Sequence, residues 1–422
     1  MSSRTKALLS SYDNVWLLDG VRTPFIEFNT ALGVISPTDL GIKAARAVFH
    51  KSEISPKDVD TVVAGCVAQA SFDAYVLPRH IALYSGVPVE VPALLVQRVC
   101  GTGIEAILQA ADSIKLAKAA LALVVGAESM SRNPIAAYTH RGGFRMGEVE
   151  FKDFLWEALL DPSCNLTMGG TAEKLAKKYG ITREDVDQFA AESFARAVAA
   201  QKRCFLSGEI APVVSETFDL EGYTSRGIRL PRGVEKLSED THIRPSPVEI
   251  LAKLKPAFGG VQTGGNSSGI VDGAAAALVA SDDYLIERKN KERNKKPLAR
   301  VVAGAVVGVP PEIMGIAPVP AIQQLLEFTG LKLPQIDRFE INEAFGAQVL
   351  SCVRELGLDR AKLNVNGGAI AIGHPLAATG IRLAVTVARE LKQSGGRYGV
   401  ASACIGGGQG IALLVENAAL AY

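Results

Sequence analysis

Four short segments carry side chains able to do chemistry. Residues Ala93 to Val99 read as a strand. Cys100-Gly101-Thr102-Gly103 reads as a sharp turn, and Ile104, Ile107, Leu108, Ala111 and Ile114 then keep helical period. A thiol at that place sits at a helix N-terminus. The helix dipole and the free N–H groups there favour thiolate and predict a lowered pKa, while the glycines let a carbonyl approach backbone donors. A buried inert cysteine at a tight turn is the alternative. Ala403-Cys404-Ile405-Gly406-Gly407-Gly408-Gln409-Gly410 sets a second thiol beside exposed backbone N–H groups, either an oxyanion site or a β-turn with a packed thiol.

His374 lies in a loop between Gly373 and Pro375, just ahead of a helix that begins near Leu376. It is placed to be a base or a structural capping residue. In Glu340-Ile341-Asn342-Glu343-Ala344-Phe345-Gly346, Asn342 ends a strand, where α/β proteins collect ligands. A loop-stabilising Asx turn would account for it equally.

The elements that must position these groups are legible at a coarse level. The chain has 422 residues, 48% of them apolar and 21% charged, enough for a large core in two to three domains. No apolar run approaches the roughly 18 residues of a membrane helix. Lys plus Arg at 45 against Asp plus Glu at 44 argues against a nucleic-acid footprint. The six cysteines form no C-x-x-C pair and no zinc spacing, so no metal is expected. No secretory h-region is seen at the N-terminus, and free thiols suit a reducing compartment. The cytoplasm is the expected location, with a mitochondrial one the alternative.

The chain also repeats itself. Val59-Asp60-Thr61-Val62-Val63 lies 277 residues before Ile336-Asp337-Arg338-Phe339-Glu340, and the same offset relates Thr102-Gly103-Ile104 to Thr379-Gly380-Ile381. Each of the latter is expected to open an amphipathic helix of similar length, followed by an apolar strand. Equal offsets at two separated places predict a duplicated α/β unit. The first half is expected at 13–132 and 263–290, an insertion at 133–262, and the second half at 291–422, entered by a basic linker from Arg288 to Lys296.

Taken together and in order, these segments resemble the thiolase family over nearly the whole chain. The resemblance begins at Val15-Trp16-Leu17-Leu18-Asp19-Gly20-Val21-Arg22-Thr23-Pro24-Phe25. It runs on through Gly126-Ala127-Glu128-Ser129-Met130-Ser131, Asn266-Ser267-Ser268-Gly269, the Asn342-Glu343-Ala344-Phe345 box, Gly373-His374-Pro375 and the Cys404 glycine turn. It implies two βαβαβαββ halves in a five-layer αβαβα sandwich with an inserted loop domain. The implied reaction is acyl transfer between coenzyme A and a second acyl-CoA through an enzyme thioester. By motif match Cys100 would be the nucleophile and His374 its proton acceptor. Cys404 would be the acid/base for the α-proton. Asn342, acting through a water, would complete one oxyanion site with His374, and the N–H groups of Cys100 and Gly406 would form the other. No cofactor is tightly bound; coenzyme A is a substrate, lying in the loop domain with Ser268 near the pantetheine. Met168, Phe258 and Phe345 would line the substrate pocket. Arg226 and Arg229, with Arg232 and Lys236, are a candidate phosphate contact, or a solvated charge run.

The resemblance further implies a homodimer or homotetramer, and a hydratase/dehydrogenase partner is open to the branch used in β-oxidation. Short-chain biosynthetic members carry His where this chain has Thr167, before Met168-Gly169. The trifunctional branch usually carries His where this chain has Asn342. Thiolytic cleavage of 3-ketoacyl-CoA is the leading expectation, with a short-chain acetyl-CoA acetyltransferase and a non-catalytic acyl-CoA-binding protein as alternatives. A β-ketoacyl synthase would need a second His near Asn342, and the five histidines, at 50, 80, 140, 242 and 374, include none there.

Overall fold

The computed structural model describes residues 6–421 apart from 70, 72, 138, 139 and 291–295. Among the described residues ten longer strands build its two main sheets, with the two-residue strand Ile26–Glu27 added against Val271 and Asp272: β1 (Ala7–Ser11), β2 (Val15–Arg22), β3 (Thr61–Gly65), β4 (Ala93–Val96), β5 (Leu121–Glu128), β6 (Val271–Ser281), β7 (Ala299–Gly308), β8 (Arg338–Ile341), β9 (Tyr398–Ile405) and β10 (Gln409–Asn417). The first sheet has the order β4-β3-β5-β6-β2. The second runs β8-β9-β10-β7, with β1 added antiparallel to β7. The sheets touch edge to edge where Leu17 and Trp16 of β2 pair with Ala299 and Arg300 of β7.

Helices α1 (Pro37–Ser52) and α2 (Leu77–Tyr84) cover the outer face of the first sheet. Helices α3 (Thr102–Lys115) and α8 (Leu376–Ser394) lie between the two sheets, and α6 (Pro318–Thr329) covers the outside of the second. Five layers result. Burial follows from position: β5 and β6 are buried at every residue, because helices cover both of their faces. Helix α8 is buried nearly all round, the pattern of a helix inside a core. No described helix is long and apolar enough to cross a membrane.

The repeat holds at atomic detail. Asp60 Oδ2 accepts from the N–H groups of Ala120 and Leu121, at 2.7 and 3.0 Å; Asp337 Oδ2 accepts from those of Arg397 and Tyr398, at 2.6 and 3.1 Å, the same positions 277 residues later. The two inner helices cross at their repeated glycines. A Cβ on Gly103 would meet Ile381 N at 2.6 Å, and one on Gly380 would collide with Ile104 N. Two expectations need correcting. Helix α8 starts at Leu376, a turn ahead of Thr379, and has 19 residues against 14 in α3. Arg288 is no linker residue: it lies in the helix Asp282–Asn290, buried, with Nη2 donating to Ser52 O at 2.6 Å. Part of that supposed linker, 291–295, lies outside the described residues.

Between β5 and β6 the chain forms α4 (Met168–Tyr179), α5 (Arg183–Lys202) and several short hairpins. Thr167 caps α4 by accepting from Gly170 N at 3.1 Å, and Thr182 with Asp185 makes a capping box on α5. Both helices pack on α7 (Gly346–Leu356), so this segment docks on the second half and brings Met168 toward β9.

Candidate active site

Each reactive side chain sits where a strand or loop enters a helix or tight turn. Val99, a β-branched residue, is held at φ +43°, in the left-handed region that such residues avoid. Three hydrogen bonds fix it. Val99 N donates to Gln97 Oε1 at 3.1 Å, Thr102 Oγ1 accepts from Arg98 N at 2.9 Å, and the same hydroxyl donates to Val99 O at 2.7 Å. The turn projects Cys100 just ahead of α3, where the backbone N–H groups of Gly406 and of Cys100 itself favour its thiolate. The expected lowering of its pKa does not hold in the unliganded fold. Burial outweighs those donors and pushes the thiol up to about 11.

Gly373, at φ +102°, turns the chain so that His374 N donates to Gly269 O at 2.9 Å. The imidazole is buried between two partners: Nδ1 lies 2.6 Å from Thr379 Oγ1 and Nε2 lies 3.2 Å from Asn342 Nδ2. An amide nitrogen only donates, so Nε2 carries the lone pair and Nδ1 the proton. Burial, with the charge of Arg382, lowers this histidine to about 3, so it is neutral at pH 7. Asn342 Oδ1 is buried without a partner. Leu376, two residues after His374, packs against Cys100 with Met130 and Leu155.

Cys404 lies near the end of β9, opposite Gly410 of β10, and the turn between them returns the Gly406 N–H to Cys100. Its thiol is raised well above the ordinary range by burial and by the neighbouring sulfurs of Cys100 and Cys352. An apolar cluster of Met168, Met314, Ala344, Phe345 and Phe258 packs around it. The two phenyl rings meet edge to face at 6.0 Å. Gly406 leaves no room to spare, since a Cβ there would come within 3.1 Å of the Met168 sulfur. Ser268 N donates to Ala344 O at 3.0 Å, which sets Ser268 on the rim.

The family models for the thiolase N-terminal domain and the thiolase C-terminal domain match residues 15–283 and 295–417. The chain belongs to the thiolase family. It is an acyltransferase. This thiolase is 42% identical to the mitochondrial 3-ketoacyl-CoA thiolase of Bos taurus, covering 96% of this chain and 98% of the relative. It is also 42% identical to the beta-ketoadipyl-CoA thiolase of Acinetobacter baylyi, over 96% and 99%. Human mitochondrial 3-ketoacyl-CoA thiolase in complex with CoA superposes with a TM-score of 0.88 at 40% identity, over 97% and 100% of the two chains.

Arg226 and Arg229 are not brought to this site of the thiolase. Arg226 bonds Asp39 and Asp73, at 2.7 and 2.6 Å, so two carboxylates already balance its charge. With Arg229 it lines a separate cleft of about 640 Å³ beside the start of α1, one that includes no residue of the pockets around Cys100 and Cys404. Sequence reasoning also missed Thr379, Leu155, Leu159 and Met314. Leu159 packs against both the Cys100 and the Cys404 clusters. The four-residue spacing of Leu155 and Leu159 was a usable signal; nothing local marked Thr379 or Met314.

The raised thiol gives a pH prediction. Thiolate is the form that alkylates, and below the pKa its fraction grows about tenfold per pH unit. Iodoacetamide modification of Cys100 in the free enzyme should therefore keep accelerating from pH 7 to pH 10, read by peptide mass. A plateau already reached by pH 8 would contradict it.

Proposed function

We propose that the protein cleaves 3-ketoacyl-CoA thiolytically, with Cys100 as the acyl carrier. One contact supports this most directly: the 404–406 turn packs on the Cys100 turn, where a Cβ on Gly101 would lie 2.6 Å from the Ile405 side chain, and it brings a second thiol and a backbone N–H that favours the Cys100 thiolate. In this reading the Cys100 sulfur attacks the C3 ketone while His374 Nε2 takes its proton. The C3 oxyanion is held by the N–H groups of Cys100 and Gly406. The C2–C3 bond breaks and leaves the enolate of acetyl-CoA, its thioester oxygen held by His374 and by Asn342 through a water. Cys404 then protonates C2. The thiol of coenzyme A gives its proton to the Cys404 thiolate and attacks the acyl-Cys100 carbonyl; the Cys100 sulfur leaves, recovers its proton from His374, and the shortened acyl-CoA is released. Raised pKa values suit both thiols to holding a proton until it is needed. Residues 133–262 would carry the coenzyme. The exposed Lys253 and Lys255, which lead into Phe258, are further candidate contacts for its phosphates beside Arg226 and Arg229.

We place the preferred substrate above four carbons. Thr167 is occupied as the cap of α4, and Cys404 is packed by Met168 and Met314, whose unbranched, adaptable side chains would repack around an apolar tail. Each buried methylene contributes up to about 0.8 kcal/mol, so kcat/KM should rise several-fold per two-carbon step until the pocket is full. Incubation with an acyl-CoA lacking free coenzyme A should place the label on Cys100, and a thiolysis panel of rising chain length should peak beyond acetoacetyl-CoA. A label on Cys66 or Cys352 would sink the nucleophile assignment. A peak at four carbons would favour the acetyl-CoA acetyltransferase reading.

We also propose at least a dimer, formed along β4. Among the described residues that strand pairs with β3 alone and leaves its other edge open, with Leu94 half exposed. Light scattering at micromolar concentration should give twice or four times the chain mass; an active monomer would rule it out. The six free cysteines suit a reducing compartment, cytoplasmic or mitochondrial.

A further inference from the structure

The two backbone donors assigned above to the C3 oxyanion, Cys100 N and Gly406 N, come from different halves of the chain. An oxyanion hole works only when its donors are fixed before the charge develops. Something must therefore lock the turn before α3 to the turn before β10. Packing supplies part of it, since Gly101 lies against the side chains of Ile405 and Ile411. A polar link supplies the rest. Arg98, two residues before Cys100, sends Nη1–H to Gln409 Oε1 at 2.8 Å. Gln409 is the first residue of β10 and pairs with Ile405, closing the Gly406-Gly407-Gly408 turn. Arg98 Nε–H donates to Glu105 Oε2 at 2.7 Å in the first turn of α3, and Glu105 Oε1 is itself held by Gln109 Nε2 at 2.8 Å. The guanidinium thus spans three elements with two donors of its rigid fork.

We propose that Arg98 is a positioning residue, which with Gln409 and Glu105 clamps the nucleophile turn to the glycine turn and so sets the separation of the two oxyanion donors. The proposal rests on the Cys100 reading above. Its charge is balanced by Glu105, so it acts through geometry. The same clamp helps hold Val99 in its left-handed conformation, because Arg98 precedes it and is tied at both backbone and side chain.

A different role is open to an arginine 22% exposed at its side chain: contact with the coenzyme phosphates. Steady-state thiolysis and acyl-label formation separate the two, using wild type, Arg98→Met, Arg98→Lys, Gln409→Leu and the Arg98→Met/Gln409→Leu double variant. With the clamp, Arg98→Met and Gln409→Leu each lower kcat roughly 10- to 100-fold, with KM for coenzyme A within about twofold. The double variant is no worse than the poorer single one, and Arg98→Lys, which reaches one partner, recovers part of the loss. A raised KM with unchanged kcat, a silent Gln409→Leu, or losses that multiply in the double variant would overturn the clamp. Should Arg98→Met fold poorly, Gln409→Leu still decides, since it removes only the far end of the link. A wild-type label away from Cys100 would overturn the underlying reading. A label on Cys100 formed at the wild-type rate in Arg98→Met would overturn the clamp alone.

Discussion

Cys404→Ala should still take an acyl group onto Cys100, yet exchange the α-protons of acetyl-CoA at least about 100-fold more slowly than wild type, the usual scale for losing a positioned acid/base. The two thiols share a buried space but have different company. Cys100 faces N–H donors, which suit an attacking sulfur and an oxyanion. Cys404 faces Met168, Met314 and Phe345, which keep it protonated until an enolate appears. His374→Ala should behave in the opposite way and lose acylation itself. The thiol it serves is pushed up to about 11 and does not ionise unaided at pH 7. Deuterium exchange into acetyl-CoA and single-turnover labelling read the two steps separately. Exchange by Cys404→Ala at the wild-type rate would mean that another group handles the proton.

Gly103→Ala should unfold or inactivate the protein far faster on heating than wild type, although glycine to alanine inside a helix normally stabilises by up to about 1 kcal/mol. The sign reverses because the new methyl would lie 2.6 Å from Ile381 N and 2.8 Å from Ala377 O, backbone atoms that no rotamer change can move. Overpacking of this kind costs about 1–3 kcal/mol, and more when backbone must shift. Here α3 and α8 would be driven apart, and these are the helices that follow Cys100 and His374. The half-life of activity at a fixed high temperature is the suitable measure for a chain of this size. A variant as durable as wild type would show that the crossing yields easily.

Much of this site was readable from the chain because Cys100, His374, Asn342 and Cys404 each lie at an element end punctuated by glycine or proline, and such ends are local in sequence. What the sequence hid depends on partners far along the chain. Arg226 looked like a free cation, but Asp39 and Asp73 neutralise it from 187 and 153 residues away. The helix N-terminus promised a low Cys100 pKa, while the desolvation that reverses it arises only once both halves close over the thiol. Thr379 is one more helical threonine until His374 Nδ1 is seen against it. The duplication was legible because hydrogen-bonding carboxylates such as Asp60 and Asp337 recur at a constant interval; the strain at Val99 was not, since nothing in a valine announces a left-handed backbone.

Counterpart positions 277 residues apart have a consequence for how the molecule divides its labour. Cys100 corresponds to Ala377, His374 to Gln97, Asn342 to Gly65 and Cys404 to Ala127. None of these four counterparts carries a thiol or an imidazole, and the pseudo-symmetric place holds a different set: the buried Glu128 carboxylate accepts from the N–H groups of Val67, Ala68 and Ala377 and lies beside the Cys66 thiol. In the proposed mechanism the first half supplies the nucleophile, Cys100, and the second supplies the acid, the base and the amide. On that mechanism neither half holds a working set by itself, so the chemistry depends on the contact between the two halves.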